Sequence, residues 1–188
     1  MSDPIAGWHQ EHEKFAQVLD LLQREVDAFH RGERPNYELM SDVVYYLRHY
    51  ADCVHHPRED VAFRRLVRRD PSLELQINRL LQEHRVISIA GDELLAHLQE
   101  AEGDVMVPRT ELEAAAATYL VYYRNHLNVE EQQIMPRAAR LLTEEDWAQV
   151  AASVATLSDP VFGGEGGARF GELRRQIERE AALRSEDL

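Results

Sequence analysis

The stretch "CVHHPRED", residues 53–60, places two histidines, a proline and two acids inside an apolar helical pattern. The apolar residues that flank it at steps of three and four are Met40, Val44, Leu47, Ala51, Ala62 and Leu66. His55 and Glu59 continue this pattern, so both take positions where a helix normally carries core residues. Burial of such a polar pair is unfavourable unless a partner replaces the lost water.

Three other stretches combine an apolar helical stripe with one histidine at a core position. They span residues 8–29 with His12, residues 73–91 with His84, and residues 112–141 with His126. Turn-forming residues cluster around positions 34, 70 and 105, between the stripes. Four long helices joined by short turns predict an all-α fold, an up-down-up-down four-helix bundle.

Beyond residue 142 the sequence predicts one or two extra C-terminal helices. Thr143 is followed three residues later by an acid, which is the pattern of a capping box that begins a short helix. Phe170, Leu173 and Ile177 mark a last amphipathic helix. We therefore predict a bundle domain over residues 1–142 and a helical extension over residues 143–188. This extension packs on the bundle or on a partner chain, which leaves a homodimer open.

The composition limits the classes of partner. The chain has 188 residues and a formal net charge of -13, whereas proteins that bind nucleic acid present basic surfaces to the phosphates. No apolar run approaches the roughly 18 residues that span a bilayer, and the N-terminus lacks the pattern of a signal peptide. The single cysteine, Cys53, cannot form an internal disulfide. We expect a soluble, cytoplasmic protein with no nucleic-acid and no membrane partner.

The four histidines are predicted to lie at one height in the bundle. In an antiparallel bundle, residues equally far from a turn lie level with each other. His12 and His55 lie 22 and 21 residues from the first turn centre, His55 and His84 lie 15 and 14 from the second, and His84 and His126 each lie 21 from the third. At a rise of about 1.5 Å per residue, these offsets amount to roughly 1.5 Å or less.

Two glutamates accompany this histidine layer. Glu59 follows His55 by four residues, and Glu130 follows His126 by four, so each pair shares a helix face one turn apart. A single pair of this kind is common on helix surfaces, but two pairs that meet two further histidines in a core layer indicate a metal site. A histidine layer beside a carboxylate layer suits two metal ions bridged by carboxylates. Mixed imidazole and carboxylate ligands favour iron, then manganese, then zinc.

Several motifs together resemble the hemerythrin-like family, the bacterial HHE cation-binding domains. They are "EHEKFAQVL" (11–19), "HHPRED" (55–60), "LLQEH" (80–84) and "HLNVEEQQIMPRA" (126–138). The resemblance implies a non-haem di-iron centre, with two irons per chain. The residues that would hold it are His12, His55, Glu59, His84, His126 and Glu130. Glu59 and Glu130 would bridge the irons, with Glu131 as the alternative to Glu130.

The sequence departs from the oxygen-carrying members at one ligand. These have a second histidine one turn after the third-helix ligand, where this chain has Ser88. The missing imidazole predicts a more open iron and favours reactivity with peroxide or nitric oxide over reversible oxygen carriage. His56 or His9 could supply a fifth imidazole, but the pattern places both at the surface or beside the site.

Two nearby residues leave alternatives open. Pro57 predicts either a tolerated kink beside the metal or a true helix end, and a helix end would separate His55 from Glu59. Tyr122 lies on the face of His126, where a core role is expected and a role as ligand or hydrogen-bond donor is the alternative.

The leading functional hypothesis is a hemerythrin-like protein that binds or reacts with oxygen, peroxide or nitric oxide, or that buffers iron. The second is a di-iron enzyme, either catalase-like or peroxidase-like, or a repair factor for damaged iron centres. The third is a metal-free helical interaction module. The partner of the first two is a small diatomic ligand or peroxide.

Overall fold

The computed structural model describes residues 4–103, 108–155, 157–163 and 168–186. Its helices are α1 (Pro4–His30), α2 (Tyr37–Tyr46), α3 (His56–Arg69), α4 (Glu74–Glu102), α5 (Arg109–Val129), α6 (Met135–Leu141), α7 (Glu144–Ser153) and α8 (Gly171–Glu186). A π-helical segment, Leu47–His55, joins α2 to α3, and a second, Glu130–Ile134, joins α5 to α6. Short 3-10 turns, Pro71–Leu73 and Ala168–Phe170, precede α4 and α8.

These elements form four long rods. The first rod is α1, the second is α2 with α3, the third is α4, and the fourth is α5 with α6. The first and third rods each pack against the second and fourth, which closes a four-helix bundle. This confirms the predicted fold class. Helix α7 packs on α3, and α8 packs against α1 and α2, while the division at residue 142 stays a prediction.

Local sequence signals determine where the rods begin and end. The side chain of Asn36 accepts a hydrogen bond from Leu39 N at the start of α2, and Asp70 does the same for Ser72 N before α4. Gly32, with a φ of 77°, provides the left-handed residue that follows α1. The predicted turns at residues 34 and 70 are thus explained by their capping residues. The predicted turn centre at residue 105 lies outside the described residues.

Pro57 interrupts neither the second rod nor the site. His55 and His56 have helical φ and ψ angles, so the chain stays helical from Tyr37 to Arg69. Proline is tolerated because it lies in the first turn of α3, directly after a π-helical segment, where its fixed φ suits the helix. Pro136 follows the second π-helical segment in the same way. The tolerated-kink alternative therefore describes this helix.

The core consists of two apolar clusters, with the polar layer between them. One cluster includes Phe15, Val54 and Tyr123, and the other includes Trp8, Phe63, Leu80 and Ile134. Along each rod, the histidine of the layer falls between a residue of one cluster and a residue of the other. The layer is therefore closed by apolar side chains on both sides along the bundle axis. None of the described helices combines the length and the apolar character that are needed to cross a membrane.

Asp42 in α2 predicts a pH dependence of stability. It is buried, 3.5 Å from Arg169 Nε. Burial raises the pKa of its carboxyl to about 6, and the nearby Arg169 offsets only part of that rise. The folded protein thus binds this proton more tightly than the unfolded chain does, so stability is lost as the pH rises through about 6.

We therefore expect Asp42→Asn to raise the free energy of unfolding near pH 8 and to change it little near pH 4, where the carboxyl is largely protonated in the folded protein. Urea unfolding at the two pH values checks this. An equal gain at both would contradict the assigned cause.

Candidate metal centre

The structure brings together the six residues that the sequence singles out. All six side chains are buried: His12, His55, Glu59, His84, His126 and Glu130. Each of the four rods supplies one histidine, and the second and fourth rods also supply the glutamates. The arrangement agrees with the expected single layer, although that these residues bind metal stays a prediction.

The four imidazoles form two pairs. Nε2 of His12 lies 2.9 Å from Nε2 of His55, with ring centroids 4.8 Å apart. The rings of His84 and His126 form an equivalent edge-to-face pair, with centroids 4.7 Å apart. Two nitrogens about 2.1 Å from one ion and at right angles would lie about 3 Å apart. The separation in the first pair, at which the two imidazoles share a hydrogen bond, is thus also close to the one that a shared metal ion would need.

Each glutamate faces both pairs at once. Glu59 Oε1 lies 3.1 Å from His55 Nε2, while its other oxygen lies 3.5 Å from His84 Nε2. Glu130 Oε1 lies 3.1 Å from His126 Nε2, while its other oxygen lies 3.7 Å from His12 Nε2. The two carboxylates therefore span the gap between the imidazole pairs, as bridging ligands of two ions would.

Within the six residues of the layer, six buried side-chain atoms lack hydrogen-bond partners among the described residues. They are both carboxylate oxygens of Glu59, both of Glu130, and Nε2 of His84 and of His126. Protonated imidazoles could balance the carboxylate charge, but their N–H groups would then donate hydrogen bonds to these oxygens. Buried, unpaired carboxylates are strongly unfavourable, so a cation between them is the simplest compensation. The donor set of imidazole nitrogens and carboxylate oxygens fits iron, manganese or zinc.

Four carboxylates outside the central layer, called the outer carboxylates below, contact the outward-facing nitrogens of the four imidazoles. Nδ1 of each histidine is hydrogen-bonded to an acid on a neighbouring rod. The pairs are His55 with Glu11 (2.7 Å), His84 with Asp60 (2.8 Å), His126 with Glu83 (3.2 Å) and His12 with Glu131 (2.7 Å). An acid on each rod is thus hydrogen-bonded to the histidine of the next rod, and the acid on the fourth rod is hydrogen-bonded to the histidine of the first. Such partners fix the ring orientation and direct Nε2 toward a metal.

The outer carboxylates also determine where the protons lie. Burial alone would raise the pKa of Glu11, but its hydrogen bond with His55 and the nearby cations outweigh burial and lower the pKa to about 2. An ionised carboxylate only accepts hydrogen bonds, so Nδ1 of His55 carries the hydrogen and donates it. Burial likewise lowers the pKa of His12, but its hydrogen bond with Glu131 and the nearby negative charges of Glu59 and Glu130 raise it to about 10. A metal ion would replace the proton on the inward nitrogen.

Apolar rings shield the first imidazole pair. Phe15 packs edge-on against His55, with centroids 5.0 Å apart, and Trp8 contacts the same ring at 6.1 Å. Trp8 in turn packs against Trp147 of α7 at 5.2 Å. The helix that follows the predicted capping box at Thr143 therefore covers one end of the site. This cover reduces the access of water and strengthens electrostatic interactions inside.

Two predictions about neighbouring residues need correction. His56, expected at the surface or beside the site, is buried at the centre, with its ring 4.2 Å from that of His84. Tyr122, expected in the core, is 47% exposed, whereas Tyr119 and Tyr123 are buried and the ring of Tyr123 lies 6.0 Å from that of His56. The helix faces the core on the Tyr123 side, because the neighbouring rods lie there.

The structure also shows where the alternative ligands Glu131 and His9 lie. Glu130, not Glu131, lies between the imidazole pairs, while Glu131 binds Nδ1 of His12 and lies 2.5 Å from Nδ1 of the half-exposed His9. His9 is thus outside the central layer. Ser88 contributes no imidazole, and its hydroxyl accepts a hydrogen bond from Arg48 (2.7 Å).

The model of the hemerythrin HHE cation binding domain family matches residues 3–138 of this chain. The chain belongs to this family. The matched range contains all six residues of the central layer. Comparisons with curated proteins and with solved structures gave no match.

Within this hemerythrin domain, the described residues contain two groups that could hold a metal ion. One is His12, His55 and Glu59, and the other is His56, Glu59, His84 and His126. In each group one donor atom per residue lies within 4.8 Å of the others. Glu59 belongs to both groups, which agrees with its position between the imidazole pairs. The family and these groups together support metal binding.

Proposed function

We propose that this protein holds two irons in the layer between its apolar clusters and uses them to bind or react with oxygen, peroxide or nitric oxide in the cytoplasm. The observation that carries the proposal is the sharing of both buried glutamates by two imidazole pairs. One ion would need only one such pair. A metal-free core would need hydrogen-bond partners for the carboxylate oxygens.

Iron is the preferred metal, ahead of manganese and zinc. The centre offers imidazole nitrogens and carboxylate oxygens, and the one cysteine, Cys53, is exposed and donates a hydrogen bond to the Arg48 carbonyl. Without thiolates, the site lacks the soft ligands that select Cu(I) or iron–sulfur clusters. A free, exposed thiol also suits the reducing cytoplasm.

The residues of this chain have three tasks in the proposed function. The outer carboxylates, for example Glu11 behind His55, hold a hydrogen on Nδ1 and keep Nε2 free for a metal. Glu59 and Glu130, which each face both imidazole pairs, would be the carboxylates shared by the two ions. Trp8 and Phe15 keep water away from the first imidazole pair. A pair of irons, when bound, supplies reversible electron transfer to and from a small oxygen or nitrogen species.

The proposal is tested on protein purified without oxygen. We expect about two irons per chain, and an absorption spectrum that gains a charge-transfer band when air, peroxide or nitric oxide is added. A chain that contains no metal, takes up none from solution and keeps its fold after chelation would contradict the proposal and support a metal-free interaction module.

The same experiment separates binding from turnover. Continued release of oxygen from added peroxide would place the catalase-like enzyme first. Peroxide consumed only in proportion to the iron present would support binding or a single reaction. Glu59→Gln, which removes the charge of a shared carboxylate, serves as the control that should abolish either response.

A further inference from the structure

We propose that a groove between α1 and α7 binds a small, uncharged, planar aromatic molecule that carries a phenol- or quinone-type oxygen. The groove is lined by the start of α1, by one face of α7 and by Arg58 of α3. Its volume of about 620 Å³ is typical of small-molecule sites. The groove lies outside the central layer, so the inference goes beyond the proposed function and does not depend on it.

Two indole rings line the groove. Trp8 of α1 and Trp147 of α7 are the two tryptophans of the chain, and both belong to the lining. Their rings meet edge to face, with centroids 5.2 Å apart and an angle of 80° between the planes. A planar ring that stacks on one indole therefore presents itself edge-on to the other. Offset stacking and edge-to-face contact are the two favoured arrangements of aromatic pairs.

Small residues keep the space beside the indoles open. Gly7 comes directly before Trp8, and Ala148 and Ala151 lie on the face of α7 that lines the groove. A Cβ atom at Gly7 would meet nothing within 4 Å. Large side chains at these positions would fill the groove, so the small ones preserve the space that a ligand needs.

The groove exists without a ligand because α7 is fixed to the bundle. Asp146 of α7 forms ion pairs with Arg65 (3.2 Å) and Arg69 (2.8 Å) of α3. Val150 of α7 is buried in the same apolar cluster as Trp8. A site whose walls are already ordered binds a ligand without the entropic cost of ordering them.

Arg58 supplies a hydrogen-bond donor in the groove. Its Nη2 donates to both carboxylate oxygens of Glu11, at 2.7 and 2.9 Å, and its Nε donates to the carbonyl of Val54. Nη1 makes no hydrogen bond within the described part of the chain, and the side chain is 24% exposed. Glu11 follows Trp8 by three residues, so Arg58 lies roughly one helical turn along the groove from the indoles.

The charges of the lining favour a neutral ligand. Arg58 and Glu11 form an ion pair without net charge, and the exposed Glu144 adds one further acid. A carboxylate on the ligand would meet two acids and one cation, while an ammonium group would offer Arg58 no acceptor. A phenol or quinone oxygen accepts a hydrogen bond from Arg58 and brings no charge into the groove.

The groove adjoins the central layer through two of its lining residues. Glu11 Oε2 lies 2.7 Å from Nδ1 of His55, and the ring of Trp8 contacts the ring of His55. A molecule in the groove is thus separated from His55 by a single layer of side chains.

The test follows the two indole N–H signals in the NMR spectrum of full-length protein supplied with Zn²⁺, which is diamagnetic, while 2-naphthol is added. Both signals report on the groove, because the chain has no third tryptophan. We expect both to shift until the site is saturated, with a Kd below about 1 mM. The charged analogues 2-naphthoate and 2-naphthylmethylammonium should bind at least about ten-fold more weakly.

Neighbouring alanines of α7 provide a matched pair of variants. Ala151→Phe fills the groove, whereas Ala152→Phe makes the same change at an exposed residue outside the lining. We expect Ala151→Phe to weaken the binding of 2-naphthol at least about ten-fold and Ala152→Phe to bind it like the wild-type protein. Gly7→Leu, whose Cβ enters open space, should show the same loss if the Ala151 variant does not fold.

Three results would overturn the assignment. They are the absence of saturable shifts up to the solubility limit of 2-naphthol, equal binding by folded Ala151→Phe and Ala152→Phe protein, and tighter binding of a charged analogue. Shifts of the indole signals when the protein alone is concentrated would assign the groove to a second copy of the chain and would overturn it as well. The proposed function is unaffected by each of these results, because its test measures metal content.

Discussion

Replacing Glu130 with glutamine is expected to remove both metal ions from the protein. Glu130 directs one oxygen toward His126 and the other toward His12, so it faces both imidazole pairs. Glutamine keeps the shape of the side chain but removes the charge that balances two cations. The metal content of Glu130→Gln should fall from about two ions per chain to well below one.

The neighbouring residue offers a matched control for this variant. Glu131→Gln makes the same chemical change one position later, but Glu131 contacts Nδ1 of His12 and Nδ1 of His9, outside the space between the imidazole pairs. We expect this control to keep two ions, with an affinity for the ion beside His12 that is roughly 10 to 100-fold weaker. A His12→Ala variant should lose that ion alone. Glu130→Gln protein that retains two ions would contradict the bridging position of Glu130.

Removing the metal ions is expected to lower the thermal stability by a large amount. A ligand that binds only the folded state adds about 2.7 kcal/mol when its free concentration is 100 times Kd. For a chain of this size, that corresponds to a loss of roughly 5 to 10 °C in Tm for each ion. The loss arises because, after chelation, only protons remain to balance the negative charges of the buried carboxylates of Glu59 and Glu130.

Thermal unfolding of loaded and chelated protein measures this effect. Glu130→Gln protein is the control, since without bound metal its Tm should not respond to the chelator. His84→Leu separates the hypotheses further, because a metal centre predicts lost metal and lower stability, whereas a metal-free core would gain stability when an apolar side chain replaces His84. An unchanged Tm after proven loss of metal would contradict a structural role of the ions.

Much of the site could be predicted from the sequence because, in an antiparallel bundle, the number of residues between a side chain and a turn determines its height along the bundle axis. The positions of His12, His55, His84 and His126 relative to the turns were sufficient to place them in one layer. Helical spacing then placed Glu59 and Glu130 on the same faces. These are properties of regular helices, which the sequence expresses directly through its apolar stripes.

The residues that the pattern misplaced are those for which a regular α-helix is a poor guide. His56 follows the π-helical segment Leu47–His55, in which backbone hydrogen bonds reach one residue further and the register of the faces changes. Spacing alone also could not decide between Tyr122 and Tyr123, because they lie on either side of the direction of His126. Only the positions of the neighbouring rods select Tyr123.

The outer carboxylates can be recognised in the sequence, although the apolar stripes alone do not indicate them. In each rod an acid stands directly beside a residue of the central layer. The four acids are Glu11, Asp60, Glu83 and Glu131. A residue adjacent to a buried one points about 100° around the helix, toward a neighbouring rod. The acids therefore reach histidines of other rods, and this contact between rods depends on the packing of the bundle.

The most direct test of the account is anomalous X-ray diffraction from crystals of the iron-loaded protein. We predict two iron peaks inside the bundle, one beside His12 and His55 and the other beside His84 and His126, with Glu59 and Glu130 each contacting both. A single peak, or none in this layer, in crystals of folded protein that was supplied with iron would contradict the central claim that the chain holds two metal ions between its imidazole pairs.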